Sequence, residues 1–339
     1  MAHDELLTGL LESVSRSFYW TLRALPGKVR RQISLAYLLA RTTDTVADTE
    51  LVPLDQRLQA LQALRERILE LSKKPLDFGE LARSQASPAE RVLLEKCEAS
   101  LALLEDLAPA DRQLVREVLG TISTGQELDL RRFANPPVGR ILALRTDEDL
   151  DDYTYRVAGC VGEFWTKMCR AHLFPKAALD DAVLLANGVR FGKGLQLVNI
   201  LRDLPADLRQ GRCYLPTERL LAIGLAAEDL LQTANEPRLR PLYNELLDRA
   251  QAHLLAGWAY TNSLPRGQAR VRWACAWPIL IGIKTIELLR SGSVLDPKQR
   301  IKVGRSEIKR IIFRSVLLYP WAGAWRRQVA GSAGIPAGV

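Results

Sequence analysis

Two pairs of aspartates share one spacing: Asp44-Thr-Val-Ala-Asp48 and Asp203-Leu-Pro-Ala-Asp207. On a helix, residues four apart lie on one face, so each pair aims two carboxylates the same way. Like charges so placed repel by roughly a few tenths of a kcal/mol, and something must offset that. A hard cation does so. Mg2+ takes carboxylate oxygens, keeps waters and shares the phosphate oxygens of a substrate. Arg41 lies one turn before the first pair and Arg202 directly before the second. A guanidinium can serve as a plain salt-bridge partner, and it can also grip a diphosphate with two parallel bonds. With 39 acidic residues in the chain, a single such pair is common on a solvated face. Two pairs, each closing an apolar run beside an arginine, point to a cation and diphosphate site.

Carboxylates held this way need helices, and the apolar pattern supplies them. Leu6, Leu7, Leu10, Leu11 and Val14 step at three and four residues, as do Leu54, Leu58, Leu61, Leu64, Ile68 and Leu71. Further helical runs are predicted near 93–104, 110–133, 146–171, 177–204, 237–263 and 267–289, and the first aspartate pair sits in a run from Gln32. Ser87-Pro88-Ala89-Glu90 reads as a helix start, with Ser at the cap and Glu three residues on. Pro205 should bend the helix that ends with the second pair. No alternating pattern of strand length occurs, so the expected fold class is all-α. The expected organisation is one catalytic domain over 1–328 and a flexible Gly/Ala/Pro-rich tail over 329–339.

Composition narrows the choices. The chain has 339 residues, 47% hydrophobic and 25% charged, which is that of a globular protein with a sizeable core. Five scattered cysteines without a CxxC argue for a reducing, cytoplasmic setting, and three unpaired histidines cannot build a His-rich zinc site. The N-terminus carries Asp4, Glu5 and Glu12 in its apolar stretch, unlike a signal peptide. Gly188 to Gly194 lacks the spacer and Ser/Thr of a phosphate loop, and no Rossmann fingerprint follows a strand. The net charge of +8 is uneven. Residues 266–339 hold 14 Lys/Arg against 3 acids, whereas the first 265 hold 33 against 36. That distribution argues against a nucleic-acid groove, although a basic binding scaffold without catalysis is the reading from another class.

Ordered blocks along the chain resemble the squalene/phytoene synthases, the head-to-head prenyl transferases. They are Ser15-Arg16-Ser17-Phe18, Tyr37 to Asp48, Gly125-Gln-Glu-Leu-Asp129, Tyr153 to Gly162, and Gln196 to Pro216. Ala47 and Ala206 depart from the pattern, since much of the family has Glu there. The resemblance implies a single-domain isoprenoid-synthase-type helix bundle with a central apolar cavity. It implies that Asp44, Asp48, Asp203 and Asp207 hold Mg2+ on the diphosphate. Arg16, Arg41 and Arg202 would neutralise its oxygens, with Ser15, Ser17 and Tyr37 as donors. Phe18, Val157, Ala158 and Cys160 are candidate walls of a dry pocket for the allylic cation. Ala158, Gly159 and Gly162 leave room either for a prenyl chain or for close helix packing. Tyr153 would stabilise a cation and relay a proton on the way to a cyclopropyl intermediate. Gln196 and Asn199 meet substrate or neighbouring helices.

Trp273-Ala-Cys-Ala-Trp-Pro278, followed by Arg300, Lys302 and Arg305, resembles the squalene-synthase end of the family. The resemblance therefore implies two farnesyl diphosphates joined to presqualene diphosphate and reduced by NADPH to squalene. Asn199, Arg300, Lys302 and Arg305 would face the NADPH; a solvated basic face is the alternative for the last three. The other family products, presqualene diphosphate, hydroxysqualene, dehydrosqualene and phytoene, need no reduction. Residues 308–328 mix Lys309, Arg310, Arg314, Arg326 and Arg327 with Phe313, Leu317, Trp321 and Trp325. That mixture suits either an interfacial helix for peripheral membrane association or a last helix docked on the bundle. A monomer is expected.

Overall fold

The computed structural model describes residues 6–15, 18–49, 51–134 and 139–329. They are predominantly helical, as the periodicity predicts. Among them the only extended pairing is two residues long, Leu142–Ala143 running parallel to Arg212–Cys213. The chain divides into two compact units, residues 1–134 with 164–176, and residues 135–163 with 177–339.

In the first unit, α1 (Gly27–Asp48) packs against α2 (Leu54–Ile68), α3 (Pro88–Glu95), α4 (Cys97–Glu105) and α5 (Pro109–Arg132). Its residues Val29, Ile33, Leu35, Leu38, Leu39 and Val46 are buried, so α1 is the core helix of this unit. The threonines near its polar end are buried too. The Thr42, Thr45 and Thr49 hydroxyls donate to the carbonyls of Leu38, Arg41 and Thr45, at 2.9, 2.9 and 2.6 Å. Such back-bonding lets β-branched hydroxyls sit inside a helix core. The Ser87 cap forms as expected, accepting from the Glu90 amide.

The second unit is built on α8 (Asp181–Arg209), which packs on α9 (Glu236–Ser263) and α10 (Ala269–Ser291). Before it come α6 (Asp147–Thr154), a π-helical turn over Tyr155–Gly159, and α7 (Cys160–Leu173), whose residues from Phe164 on count with the first unit. Of the small residues expected to leave room for a chain or for packing, Gly162 serves close packing: a Cβ there would come within 1.9 Å of the Gly188 carbonyl oxygen. Ala158 likewise meets Gly192, where a Cβ would come within 2.1 Å of the Ala158 carbonyl oxygen.

The last helices, α11 (Arg305–Leu318) and α12 (Ala322–Arg326), are docked. Trp325 is buried and stacks on Trp258, and Trp277 donates to the Ser315 hydroxyl at 2.8 Å. The buried Arg272 guanidinium lies 5.5 and 5.6 Å from the rings of Tyr319 and Trp325. Among the described residues no helix is long and apolar enough to cross a membrane.

Candidate active site

With its threonines and aliphatic residues turned inward, α1 presents Tyr37, Ala40, Arg41, Asp44 and Asp48 along one stripe at helical spacing. Tyr37, Ala40, Arg41 and Asp44, with Val14, line a cavity of about 210 Å³. Arg41 lies 3.7 Å from Asp44 and is paired on its other side with Glu90 of α3. Burial alone would lower the Arg41 pKa, but Asp44 and Glu90 raise it, so it stays a firm cation. Gln126 of α5 donates its amide to Asp44, and its own buried carbonyl oxygen has no hydrogen-bond partner. Burial, followed by the charge of Asp48, pushes the Asp44 carboxyl up to about 6 despite Arg41 and Gln126. The repulsion inferred from the four-residue spacing is therefore present.

The second pair lies on the last turns of α8. Arg202 grips the Asp203 carboxylate with two bonds, 2.9 and 2.5 Å, and Asp207 adds to the field that raises the Arg202 pKa. The helix does not stop at Pro205 but continues to Arg209. It ends where Gly211 adopts φ 76°, the left-handed conformation that favours glycine. The tail then leads into the short parallel pairing at Arg212–Cys213 and on to Tyr214, which stacks on Tyr153 at 4.8 Å between ring centroids.

Tyr153 owes its position to charge. Thr146 and Asp149 form a reciprocal capping box at the start of α6. Asp151 accepts from Lys193 of α8 at 2.7 Å and from Arg249 of α9 at 3.1 Å. Those two cations hold the Asp151 pKa below its ordinary value against the effect of burial.

Other expected residues are distributed as follows. Phe18 stacks on Tyr37 at 5.2 Å. Ser15 is buried and its hydroxyl donates to the Leu11 carbonyl, so that donor is engaged locally. Arg16 and Ser17 lie outside the described residues. Cys160 is buried, Val157, Ala158, Gln196 and Asn199 are half-buried, and Arg300, Lys302 and Arg305 are exposed. Two partners of the aspartate and arginine stripe, Gln126 and Glu90, lie outside the residues that the sequence predicts for the site. Gln126 does fall within the Gly125–Asp129 block.

The donor set fits Mg2+. Within either unit no three Asp, Glu, His or Cys side chains converge among the described residues. A pair of carboxylates is what Mg2+ uses when it keeps its waters and shares substrate phosphates, instead of sitting in an all-protein cage. The crowded, raised Asp44 carboxyl and the unpartnered Gln126 oxygen are groups that a hard cation and its water shell would satisfy.

The family model for squalene/phytoene synthase matches residues 11–307, and the chain belongs to that family of head-to-head prenyl transferases. A bifunctional lycopene cyclase/phytoene synthase of Gibberella fujikuroi is 29% identical over 91% of this chain and 53% of its own length. The chain thus spans about half the length of such relatives. A presqualene diphosphate synthase of Rhodopseudomonas palustris is 28% identical over 87% of this chain and 90% of its own. The structure of TcSQS with the ligand E5700 shares the fold at a TM-score of 0.78 and 20% identity, covering 99% of this chain and 93% of the other.

Proposed function

We propose that the chain joins two farnesyl diphosphates head to head and releases presqualene diphosphate without reduction by NADPH. The observation that carries the chemistry is the stripe of Tyr37, Arg41 and Asp44 on one cavity wall. Asp44, Asp48, Asp203 and Asp207 hold Mg2+, which when bound neutralises the leaving diphosphate. Arg41 and Arg202 grip remaining oxygens, and Tyr37 donates a hydrogen bond. The C–O bond of the first substrate breaks, and the allylic cation is attacked by the double bond of the second. One proton is lost, relayed by the Tyr153 hydroxyl to the released diphosphate, and a cyclopropane closes that keeps the second diphosphate. The Tyr153 and Tyr214 rings, stacked together, present π-density to the cation.

One comparison favours the unreduced product over the squalene expected from the C-terminal resemblance: a presqualene diphosphate synthase is similar over 87% of this chain and 90% of its own length. A phytoene-type reaction on longer chains is the second reading, favoured by the bifunctional relatives. Product analysis with farnesyl or geranylgeranyl diphosphate and Mg2+, each with and without NADPH, decides. Presqualene diphosphate from the shorter substrate, unchanged by NADPH, is expected. Squalene formed only with NADPH overturns the unreduced reading, and turnover of the longer substrate alone selects the second.

The enzyme also meets anionic lipid through α11. Phe313 and Leu317 of α11 and Trp321, just before α12, are 68, 53 and 60% exposed, among exposed Lys309, Arg310 and Arg314. Aromatic and aliphatic side chains flanked by cations match a lipid surface in both apolar depth and charge.

A further inference from the structure

Pro205 interrupts the helix that carries the second aspartate pair. Having no N–H, it cannot bond to the carbonyl of Leu201, four residues earlier, and its ring crowds that carbonyl. Leu201 is buried, so its carbonyl cannot turn to water instead. The vacant acceptor is filled from another helix: the Tyr243 hydroxyl of α9 donates to the Leu201 carbonyl at 2.8 Å. Tyr243 is itself fully buried and fixed. The Arg240 guanidinium lies 5.6 Å from its ring centre. Arg240 is in turn held by Glu236 and by the carbonyls of Leu289 and Gly292, at 2.9 and 2.7 Å. Burial raises the Tyr243 pKa, and the charges of Glu236 and Asp203 add to this, so the phenol remains a donor at any working pH.

We infer that Tyr243 is a positioning residue for the Asp203 and Asp207 carboxylates, supplying the helix hydrogen bond that Pro205 removes and so fixing the turn between them. The chain from Glu236 through Arg240, Tyr243 and Leu201 sets where that turn lies. The inference rests on the metal role proposed for those aspartates.

The exchange is testable because either partner of it can be changed. Tyr243→Phe keeps the ring and its contact with Arg240 but leaves the Leu201 carbonyl unpaired. Pro205→Ala restores a backbone N–H to that carbonyl. In metal-free protein, amide hydrogen exchange over residues 202–209 should speed up at least about tenfold in Tyr243→Phe. It should return to the wild-type rate in Pro205→Ala/Tyr243→Phe. Calorimetric titration with Mg2+ and inorganic diphosphate should show about tenfold weaker binding in Tyr243→Phe, with the same recovery in the double variant. Unchanged exchange in Tyr243→Phe overturns the inference, as does a loss that persists beside Pro205→Ala. Altered exchange with unaltered titration reduces Tyr243 to a purely structural role and overturns the positioning claim. If Tyr243→Phe alone does not fold, the double variant still decides: it must fold and bind as wild type. Wild-type protein that binds no Mg2+–diphosphate refutes the metal role of the aspartates, a result separate from the exchange rates.

Discussion

Asp44 answers to two opposed requirements. For chemistry it should be an anion, yet burial and Asp48 raise its pKa from 3.8 to about 6. The native state therefore holds a proton between pH 3.8 and 6 that the unfolded chain releases, and stability falls as pH rises through that window. Asp44→Asn removes the penalty. In EDTA at pH 7.5 its melting temperature should exceed that of the wild type, and the gap should close below pH 3.8. The same substitution should lower turnover at least about a hundredfold, as loss of a charge-stabilising group does. A lower melting temperature at pH 7.5 contradicts the burial argument, and retained turnover contradicts the role of Asp44. Protons also compete with Mg2+ at this site, so the Mg2+ concentration for half-maximal rate should climb as pH drops below about 6. A requirement flat from pH 7 to 5 would exclude Asp44 as a ligand. Arg41, Asp44 and Asp48 were legible from spacing, since residues three and four apart share a helix face, and Tyr37 from the family resemblance. Its partners were not: Gln126 and Glu90 stand 82 and 49 residues away in sequence, and only packing of the helices brings them in.

At the level of the helices, most of the fold could be read from apolar periodicity, including the Ser87 cap. Two departures have local causes. The predicted run over 146–171 is split by the π turn at Tyr155–Gly159, whose residues pack on α8 at the close approach of Ala158 to Gly192. The run ending at 204 extends to Arg209, and the Leu201 carbonyl that Pro205 cannot bond accepts instead from Tyr243, a partner that no pattern within that segment reveals. The glycine contacts set the height of α8 and hence of its aspartates. Gly192→Ala or Gly162→Ala must push backbones apart and should destabilise by about 1–3 kcal/mol, the usual penalty of overpacking. Gly27→Ala, with nothing within 4 Å of its would-be Cβ, should be neutral or stabilising by up to about 1 kcal/mol. Urea unfolding of the three variants gives the comparison, and equal stabilities would mean that the close packing does not set the position of α8.

Across the whole molecule, the +8 charge divides into a slightly acidic body over residues 1–265 and a basic last quarter. The sequence left residues 308–328 between a docked helix and an interfacial one; they are docked, and the lipid contact proposed for them rests on the side chains that stay exposed. The inner side of α11 is held through Ser315, while Phe313 and Leu317, and Trp321 just beyond its end, stay exposed among cations. Apolar insertion and charge attraction are separable in experiment. Wild-type protein should sediment with vesicles containing phosphatidylserine, much less with pure phosphatidylcholine, and binding should weaken as salt screens the cations. Phe313→Ser/Leu317→Ser/Trp321→Ser removes exposed side chains only, so folding and turnover of detergent-dispersed substrate should be unchanged while vesicle binding falls at least about tenfold. Equal binding to both vesicle types would remove the electrostatic argument. Binding unaffected by the triple substitution would place the contact elsewhere, and duplex DNA binding that outlasts physiological salt would return the basic quarter to the nucleic-acid reading.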